Sequence, residues 1–249
     1  MPKMPEATFD IEAAFDQDYL YFYEPLLTSE RSEREVELIW RLLALEAGGS
    51  VLDLACGHGR IANRLAKRGC HVTGLDATAL FLELARQDAQ ALGVLVEYIK
   101  GDMRSLPWTE RFDCLVNWFT AYGYFNDEDN RKVLREAYRT LKPGGKLLID
   151  LINREFMVKS FRPDSVSERD GNYLIDRNQY DVLTGQTHTE RIIIRNGQTR
   201  RFHYSVRHFT YPEFRDWLIA AGFNKVEVYG REGEAFKLDS RRMLIVAHK

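Results

Sequence analysis

Apolar positions recur with helical spacing along the first part of the chain. The stretch from Ser32 to Leu45 is the clearest, with Val36, Ile39, Trp40 and Leu43 on one face. The spacing predicts helix over residues 8–47, closed by Gly48 and Gly49. At Ser50 the pattern changes to short apolar runs that alternate with amphipathic stretches. Ser50–Ala55, His71–Leu75, Val94–Lys100, Phe112–Trp118 and Lys146–Ile152 read as strands. Gly59–Gly69, Thr78–Leu92 and Asp127–Leu141 read as the helices between them. Gly69 and Gly93 close the first two; Asp127 caps the third and Pro143-Gly144-Gly145 stops it. Short strands alternating with helices of about 10–15 residues imply βαβ units and a parallel sheet.

After Asn153 this rhythm is interrupted. Residues 172–210 read as two or three strands with turns at Thr184-Gly185 and Asn196-Gly197, the second a strong hairpin signal. A helix over Pro212–Ala221, stopped by Gly222, a strand around Lys225–Tyr229 and a last strand over Met243–Ala247 restore the alternation. The chain therefore divides into an N-terminal helical part (residues 1–48), a Rossmann-like α/β domain (residues 49–153 and 211–249) and an antiparallel insertion (residues 154–210). No internal repeat or low-complexity segment interrupts it.

Composition narrows the class. With 249 residues, 45% of them hydrophobic, the chain can fill the core of one elaborated α/β domain. Thirty-five basic residues against 37 acidic ones give no electrostatic reason to expect a nucleic-acid partner, although Arg200, Arg201 and Arg207 could form a local patch. Cys56, Cys70 and Cys114 match no zinc or CxxC spacing, so no metal is expected, and their low odd count suits a reducing cytosol. The start, MPKMPEATFD, lacks an apolar signal core, and no apolar run approaches the ~20 residues of a membrane helix. The expectation is a cytoplasmic monomer or homodimer without a membrane partner.

The candidate chemistry lies in VLDLACGHGR, residues 51–60, where a strand hands over to a helix. Gly57 and Gly59 let the backbone turn sharply near a ligand, and free N–H groups of the next helix point into the same space. The loop also fits the G-x-G-x-x-A dinucleotide fingerprint, and Asp76 stands about 20 residues on, where a ribose-binding acid is needed. Both features suit an adenosine-type cofactor and leave NAD and S-adenosylmethionine open. Asp53 separates them: a carboxylate inside the first strand is costly unless paired, and it suits a sulfonium and an ammonium better than a pyrophosphate. It could also cap the loop's own N–H groups. Asp102, beyond the third strand, could accept from an adenine amino group with Met103 packed on the ring, or cap a short helix at 103–106. Asn117, Trp118 and Phe119 follow the fourth strand, at the end of a parallel sheet where ligands bind.

The ordered set VLDLACGHGR, VTGLD ending at Asp76, GDM at 101–103, FDCLVNWF at 112–119 and LKPGGKLLID at 141–150 resembles the class I S-adenosylmethionine-dependent methyltransferases, in the methyltransferase domain family of small-molecule type. The resemblance covers roughly residues 35–152. It implies a seven-stranded sheet of order 3-2-1-4-5-7-6 with the last strand antiparallel. It also implies that Gly57 and Gly59 flank the methionine part of the cofactor, that Asp53 lies near it and Asn117 at its methionine end, and that Ala55 belongs to the cofactor-binding loop. Asp76 would hold the ribose hydroxyls, Asp102 and Met103 the adenine, with Ala77, Trp118 and Phe119 also at the cofactor. Ala55 stands where many members carry glycine. Similar members use an N-terminal segment as a lid whose tyrosine touches the cofactor, which points to Tyr21, and use the insertion as the other wall.

The acceptor is less defined. NWFTAYGYF after the fourth strand lacks the Asn/Asp-Pro-Pro-Tyr/Phe motif of nucleic-acid amino-methylating enzymes, and no cysteine triad serves an iron–sulfur cluster. Aromatic clusters at Tyr19–Tyr23 and Trp118–Phe125 suit a small, mostly apolar acceptor. Tyr19, Tyr122, Tyr124, Tyr204 and Arg207 are the candidate acceptor contacts. His203 and Tyr122 are the candidate catalytic groups, needed only where the acceptor must lose a proton. On a strand, His203, Ser205 and Arg207 share one face and Tyr204, Val206 and His208 the other, without indication of which faces the pocket. Transfer of a methyl group to an N, O or C atom of a small molecule is the expected function. A non-methylating S-adenosylmethionine binder and an NAD-dependent oxidoreductase are the alternatives.

Overall fold

Strand β1 (Ser50–Leu54) is an interior strand of the main sheet, with Val51, Leu52, Asp53 and Leu54 all buried. It pairs in parallel with β2 (His71–Asp76) and β4 (Phe112–Asn117). Outward lie β3 (Val96–Lys100) and β5 (Leu141–Ile152). Beyond β5, β11 (Arg242–His248) runs antiparallel to both β5 and β10 (Lys225–Tyr229). The computed structural model describes residues 10–249 and gives the sheet order β10-β11-β5-β4-β1-β2-β3. This is the expected order 3-2-1-4-5-7-6 with four insertion strands, β6 to β9, counted between. Helices α4 (Ala62–Lys67) and α5 (Ala79–Leu92) belong to one face and α6 (Asp127–Thr140) and α8 (Tyr211–Ala221) to the other, each face closed by its own apolar cluster.

The expected helix over 8–47 is divided, and residues 8 and 9 lie outside the described residues. Helix α1 (Ile11–Ala14) precedes α2 (Gln17–Tyr23), whose start is fixed by Asp16 Oδ1 accepting from the Asp18 and Tyr19 amides. A 3-10 turn over Glu24–Leu26 carries Pro25, and Thr28 then caps α3 (Ser29–Leu43). Val36, Ile39 and Leu43 are fully buried, each worth about 1.5–3 kcal/mol, with Trp40 packed at the edge. The helix ends before the two glycines, because Ala44 itself turns left-handed at φ 51. Asn126, not Asp127, caps α6, and the helix ends at Thr140. Pro143, Gly144 and Gly145 fall inside β5 instead of stopping that helix. The pairing jumps from Phe112–Leu141 to Cys114–Lys146, so they form a bulge at the strand's start.

The insertion contains helix α7 (Arg154–Lys159) and four antiparallel strands, one more than the apolar pattern indicated. They are β6 (Asp164–Arg169), β7 (Asn172–Asp181), β8 (Gln186–Arg195) and β9 (Gln198–Arg207). Strand β6 is almost wholly exposed, so it carries no buried alternation to read. Its turn was legible as Asp170-Gly171, with both residues left-handed at φ 50 and 74, the geometry of a tight hairpin. Helix α2 lies against this second sheet through Phe22, which packs with Leu174 and Ile193.

Candidate active site

One cavity of about 640 Å³ opens beyond the C-terminal ends of β1, β2 and β4. The loop after β1 and the starts of α4 and α5 line one half. Helices α1 and α2, α7 and strands β7 to β9 line the other.

The first half is built on Asp53. Its carboxylate is 2% exposed, Oδ2 has no hydrogen-bond partner, and the Ala62 backbone N–H is one donor acting on it. Burial pushes its pKa up to about 7, against the opposing pull of the Arg60 guanidinium. Arg60 is itself paired with Glu35 of α3, which holds that helix against the loop. Asp76, at the end of β2, organises the loop: Oδ2 accepts from the Gly57 amide at 2.8 Å and Oδ1 from the Thr78 amide at 2.8 Å. Burial raises its pKa, with both amides acting in opposition. Gly57 at φ 55 presents bare backbone to the cavity, whereas Gly59 at φ 79 does not line it. A Cβ on Gly59 would run into the Tyr98 hydroxyl and stand 2.8 Å from Ala85 Cβ, so that glycine serves helix–strand packing. Ala55 adopts φ 60, which is the physical reason a glycine suits its position.

Farther along the same wall lie Ala77, Phe81, Asp102 and Met103. Asp102 is gripped by Arg104, whose Nη2 donates at 2.7 Å and holds the carboxyl below its usual range. After β4, Phe119 and Thr120 are left-handed at φ 65 and 59. Asp150 of β5 holds this strained pair, with Oδ2 accepting from the Phe119 amide at 3.0 Å and its carbonyl from the Thr120 amide at 3.2 Å. Asn117 lies beneath, donating from Nδ2 to the Leu54 carbonyl at 2.8 Å, with Oδ1 buried and unpartnered. A buried carboxylate oxygen without a donor, facing a cavity floored by bare backbone, fits a cationic cofactor such as S-adenosylmethionine.

The second half is a ring of aromatic side chains. Tyr19 stacks on Tyr23 at 4.3 Å between centroids, Phe15 meets Tyr124 edge-on at 5.7 Å, and Tyr124 lies 6.3 Å from Tyr204. Arg191 of β8 donates to the Tyr204 hydroxyl at 3.0 Å and the Tyr23 hydroxyl at 3.3 Å, and forms a fork with both Asp176 oxygens at 2.7 Å. His208 Nε2 lies 2.9 Å from Thr187 Oγ1, and burial lowers the imidazole pKa to about 4, so it is neutral at pH 7. The side chains of Arg191 and Asp176 are only 7% and 14% exposed. Arg191→Met is expected to cost about 3 kcal/mol in urea unfolding by leaving that carboxylate unpaired. The double variant Arg191→Met/Asp176→Leu should recover most of the loss; no recovery would mean that the pair is not the source.

Of the residues singled out from sequence, Asp53, Ala55, Gly57, Asp76, Ala77, Asp102, Met103, Trp118, Phe119, Tyr19, Tyr124 and Tyr204 line this cavity. Gly59 and Asn117 support it from behind. Four others stand elsewhere. Tyr122 is 1% exposed, packs on Phe209 and Phe214, and donates to the Asn130 carbonyl at 2.7 Å. Tyr21 faces away, donating to the Arg169 carbonyl at 2.9 Å; Tyr19 and Tyr23 take the place expected for it. Arg207 pairs with Asp127 and Glu213. His203 lies on the outer face of β9, in a separate hollow with His188 and Glu190. The two-residue period was right, and the inward face is that of Tyr204, Val206 and His208. Sequence reasoning did not single out Arg191, Asp150 or the α7 residues. Arg191 acts through partners on adjacent strands and through Tyr23, Asp150 through Arg242 and the Phe119 amide, none of which a local pattern reveals, and α7 is too short to show periodicity.

Residues 51–145 match the family described as methyltransferase domain. A Geobacillus sp. (strain WCH70) protein with a provisional methyltransferase name is 26% identical over 94% of this chain and 99% of its own length. The demethylmenaquinone methyltransferase of Thermus thermophilus is 39% identical over 45% of this chain and 54% of that protein. Among solved structures, an amino pentose methyltransferase from Micromonospora echinaspora, with S-adenosylmethionine bound, superposes with a TM-score of 0.66. It is 20% identical, and the match covers 98% of this chain and 100% of that one.

Proposed function

We propose that this chain, which belongs to the class I S-adenosylmethionine-dependent methyltransferases, methylates an N, O or C atom of a small molecule. The observation that carries this reading is the aromatic half of the cavity. The cavity beside the loop is walled by α1, α2 and the second sheet, which supports an acceptor small enough to sit among Tyr19, Tyr23, Tyr124 and Tyr204. In this reading residues 1–48 act as a lid and residues 154–210 as the acceptor wall. The acceptors named for two relatives, demethylmenaquinone and an amino pentose, are small molecules, which supports it.

The proposed roles follow from the donor set. Asp53 faces the cofactor's cationic groups, Asp76 its ribose as well as the loop amides, and Asp102 and Met103 its adenine. The sulfonium supplies an activated methyl carbon. The protein's part is to align the acceptor with it and exclude water. No helix among the described residues is long and apolar enough to cross a membrane, and the same reading places the protein in the cytoplasm.

Calorimetry should show saturable S-adenosylmethionine binding, weakened about a hundredfold in Asp76→Ala, which removes an acceptor from both the ligand and the loop. With labelled S-adenosylmethionine and a cell extract, label should enter the dialysable fraction. Label confined to macromolecules, or wild-type protein that binds no cofactor, would overturn the proposal.

A further inference from the structure

The carboxylates on the cavity wall are confined to one half, which also holds Arg60, already paired with Glu35. Among the described residues its carboxylates are Asp53, Asp76 and Asp102, all in the cofactor half. The far end, beyond the tyrosines, carries Arg162, Arg241 and Arg242 and no carboxylate. Arg242 is neutralised by Asp150, with Nε 2.7 Å from Oδ1. Arg162 and Arg241 are exposed at the rim, and neither guanidinium has a carboxylate or hydrogen-bond acceptor among the described residues. Arg241 lies over the Phe156 ring at 5.7 Å. The contrast with the rest of the insertion is informative. Arg154, Arg169, Arg177, Arg191, Arg195, Arg200, Arg201 and Arg207 all meet carboxylates.

Neutral polar groups at this end are already engaged. Ser160 Oγ donates to the Phe156 carbonyl at 2.7 Å. Asn178 Nδ2 donates to the Arg162 carbonyl at 3.2 Å, and its Oδ1 accepts from Thr189 at 2.8 Å. The two guanidiniums are thus the groups left to greet a ligand, next to an apolar surface of Phe156, Met157 and Phe161. A planar fork of donors over such a surface matches an oxyanion attached to an apolar body.

We infer that the methyl acceptor is an anionic small molecule, a carboxylate or phosphate ester, whose anion is held by Arg162 and Arg241. Its reacting atom then points past the tyrosines toward the cofactor half. This rests on the methyltransferase reading above and adds a substrate class to it.

The test uses two dyes with one aromatic body, anilinonaphthalene sulfonate and uncharged phenylnaphthylamine, on full-length protein saturated with S-adenosylhomocysteine. The variant is Arg162→Gln/Arg241→Gln. Both residues are exposed, so its melting temperature and its S-adenosylhomocysteine affinity should match the wild type. The sulfonate dye is expected to bind at least about tenfold more weakly to the variant, and the uncharged dye to change less than about twofold. Arg162→Lys/Arg241→Lys should restore part of the sulfonate affinity. Equal weakening of both dyes, or unchanged sulfonate affinity, would overturn the inference and leave the methyltransferase reading standing. Wild-type protein that takes up no S-adenosylhomocysteine would instead defeat the reading beneath it.

Discussion

Asp53→Asn is expected to stabilise the unliganded protein at pH 8 and at the same time to lower its S-adenosylmethionine affinity by about a hundredfold or more. The two effects share one cause. The Asp53 carboxylate is fully buried, Oδ2 lacks a donor, and its pKa rises from 3.8 to about 7 on folding. A group raised in this way contributes stability that is fully present below the unfolded value and lost as pH climbs through the folded one. For wild-type protein the loss therefore spreads from about pH 4 to pH 7 and is complete at pH 8, of the order of 4 kcal/mol. The amide cannot ionise, though it needs partners of its own, so recovery of about half is expected. That corresponds to a melting temperature raised by about 4–8 °C at pH 8 and an advantage that disappears below about pH 4. Cofactor binding has the opposite sign. A cationic ligand needs the ionised carboxylate, so wild-type affinity should weaken as pH falls below about 7, whereas the variant's should not follow that profile. Thermal melts and calorimetry from pH 5 to 8 read both. A variant less stable than wild type at pH 8, or one that binds the cofactor normally, would refute the account.

Gly59→Ala should be among the most damaging single-methyl changes in the chain. Its φ of 79 already disfavours any side chain, and the new Cβ meets Ala85 Cβ at 2.8 Å and the Tyr98 hydroxyl closer still. Tyr98 cannot swing away cheaply, because it donates to Asn63 Oδ1 at 2.6 Å inside the core. Asn63 in turn donates to the Ala85 carbonyl at 3.1 Å and to Asp88 at 2.8 Å. Strain and overpacking together should cost about 3 kcal/mol, a melting temperature lower by about 6–12 °C. Pairing Gly59→Ala with Tyr98→Phe should recover part of the loss by removing the nearest atom. If the single variant melts with wild type, Gly59 does not have the packing role given to it.

The main sheet was legible because its signals are local. SVLDLA, VTGLD and KLLID are short apolar runs with a period of their own, and Gly93 and Gly222 end helices by going left-handed where they stand. The cofactor half was legible for the same reason, since Asp53, Gly57 and Asp76 come from strand ends fixed by the same pattern. Signals that depend on distant partners were not. Asp150 looks like any acid at the end of a strand until Arg242 and the Phe119 amide converge on it. Tyr21 and Tyr23 lie on one helix, and only their distant partners, the Arg169 carbonyl for Tyr21 and Arg191 for Tyr23, separate the one that faces away from the one that lines the cavity. Strand β6 failed for a different reason: with both faces wet, it has no period to detect, and its evidence lay in the Asp170-Gly171 turn.

The ties between α2 and the second sheet bear on how acceptor preference could be redesigned. Asp16 and Asp18 receive Arg195 and Arg200, the Ala13 carbonyl accepts from Arg200 at 2.7 Å, and Arg191 reaches across to Tyr23. These contacts join segments about 170 residues apart in the chain, and they are made by charged groups that tolerate isolation poorly. A chimaera that receives the strands alone would carry Arg195 and Arg200 without the aspartates that match them, and half of an aromatic ring. The transferable module is discontinuous: the first two helices and the four-stranded sheet must travel together, as one cassette cut from two places in the gene.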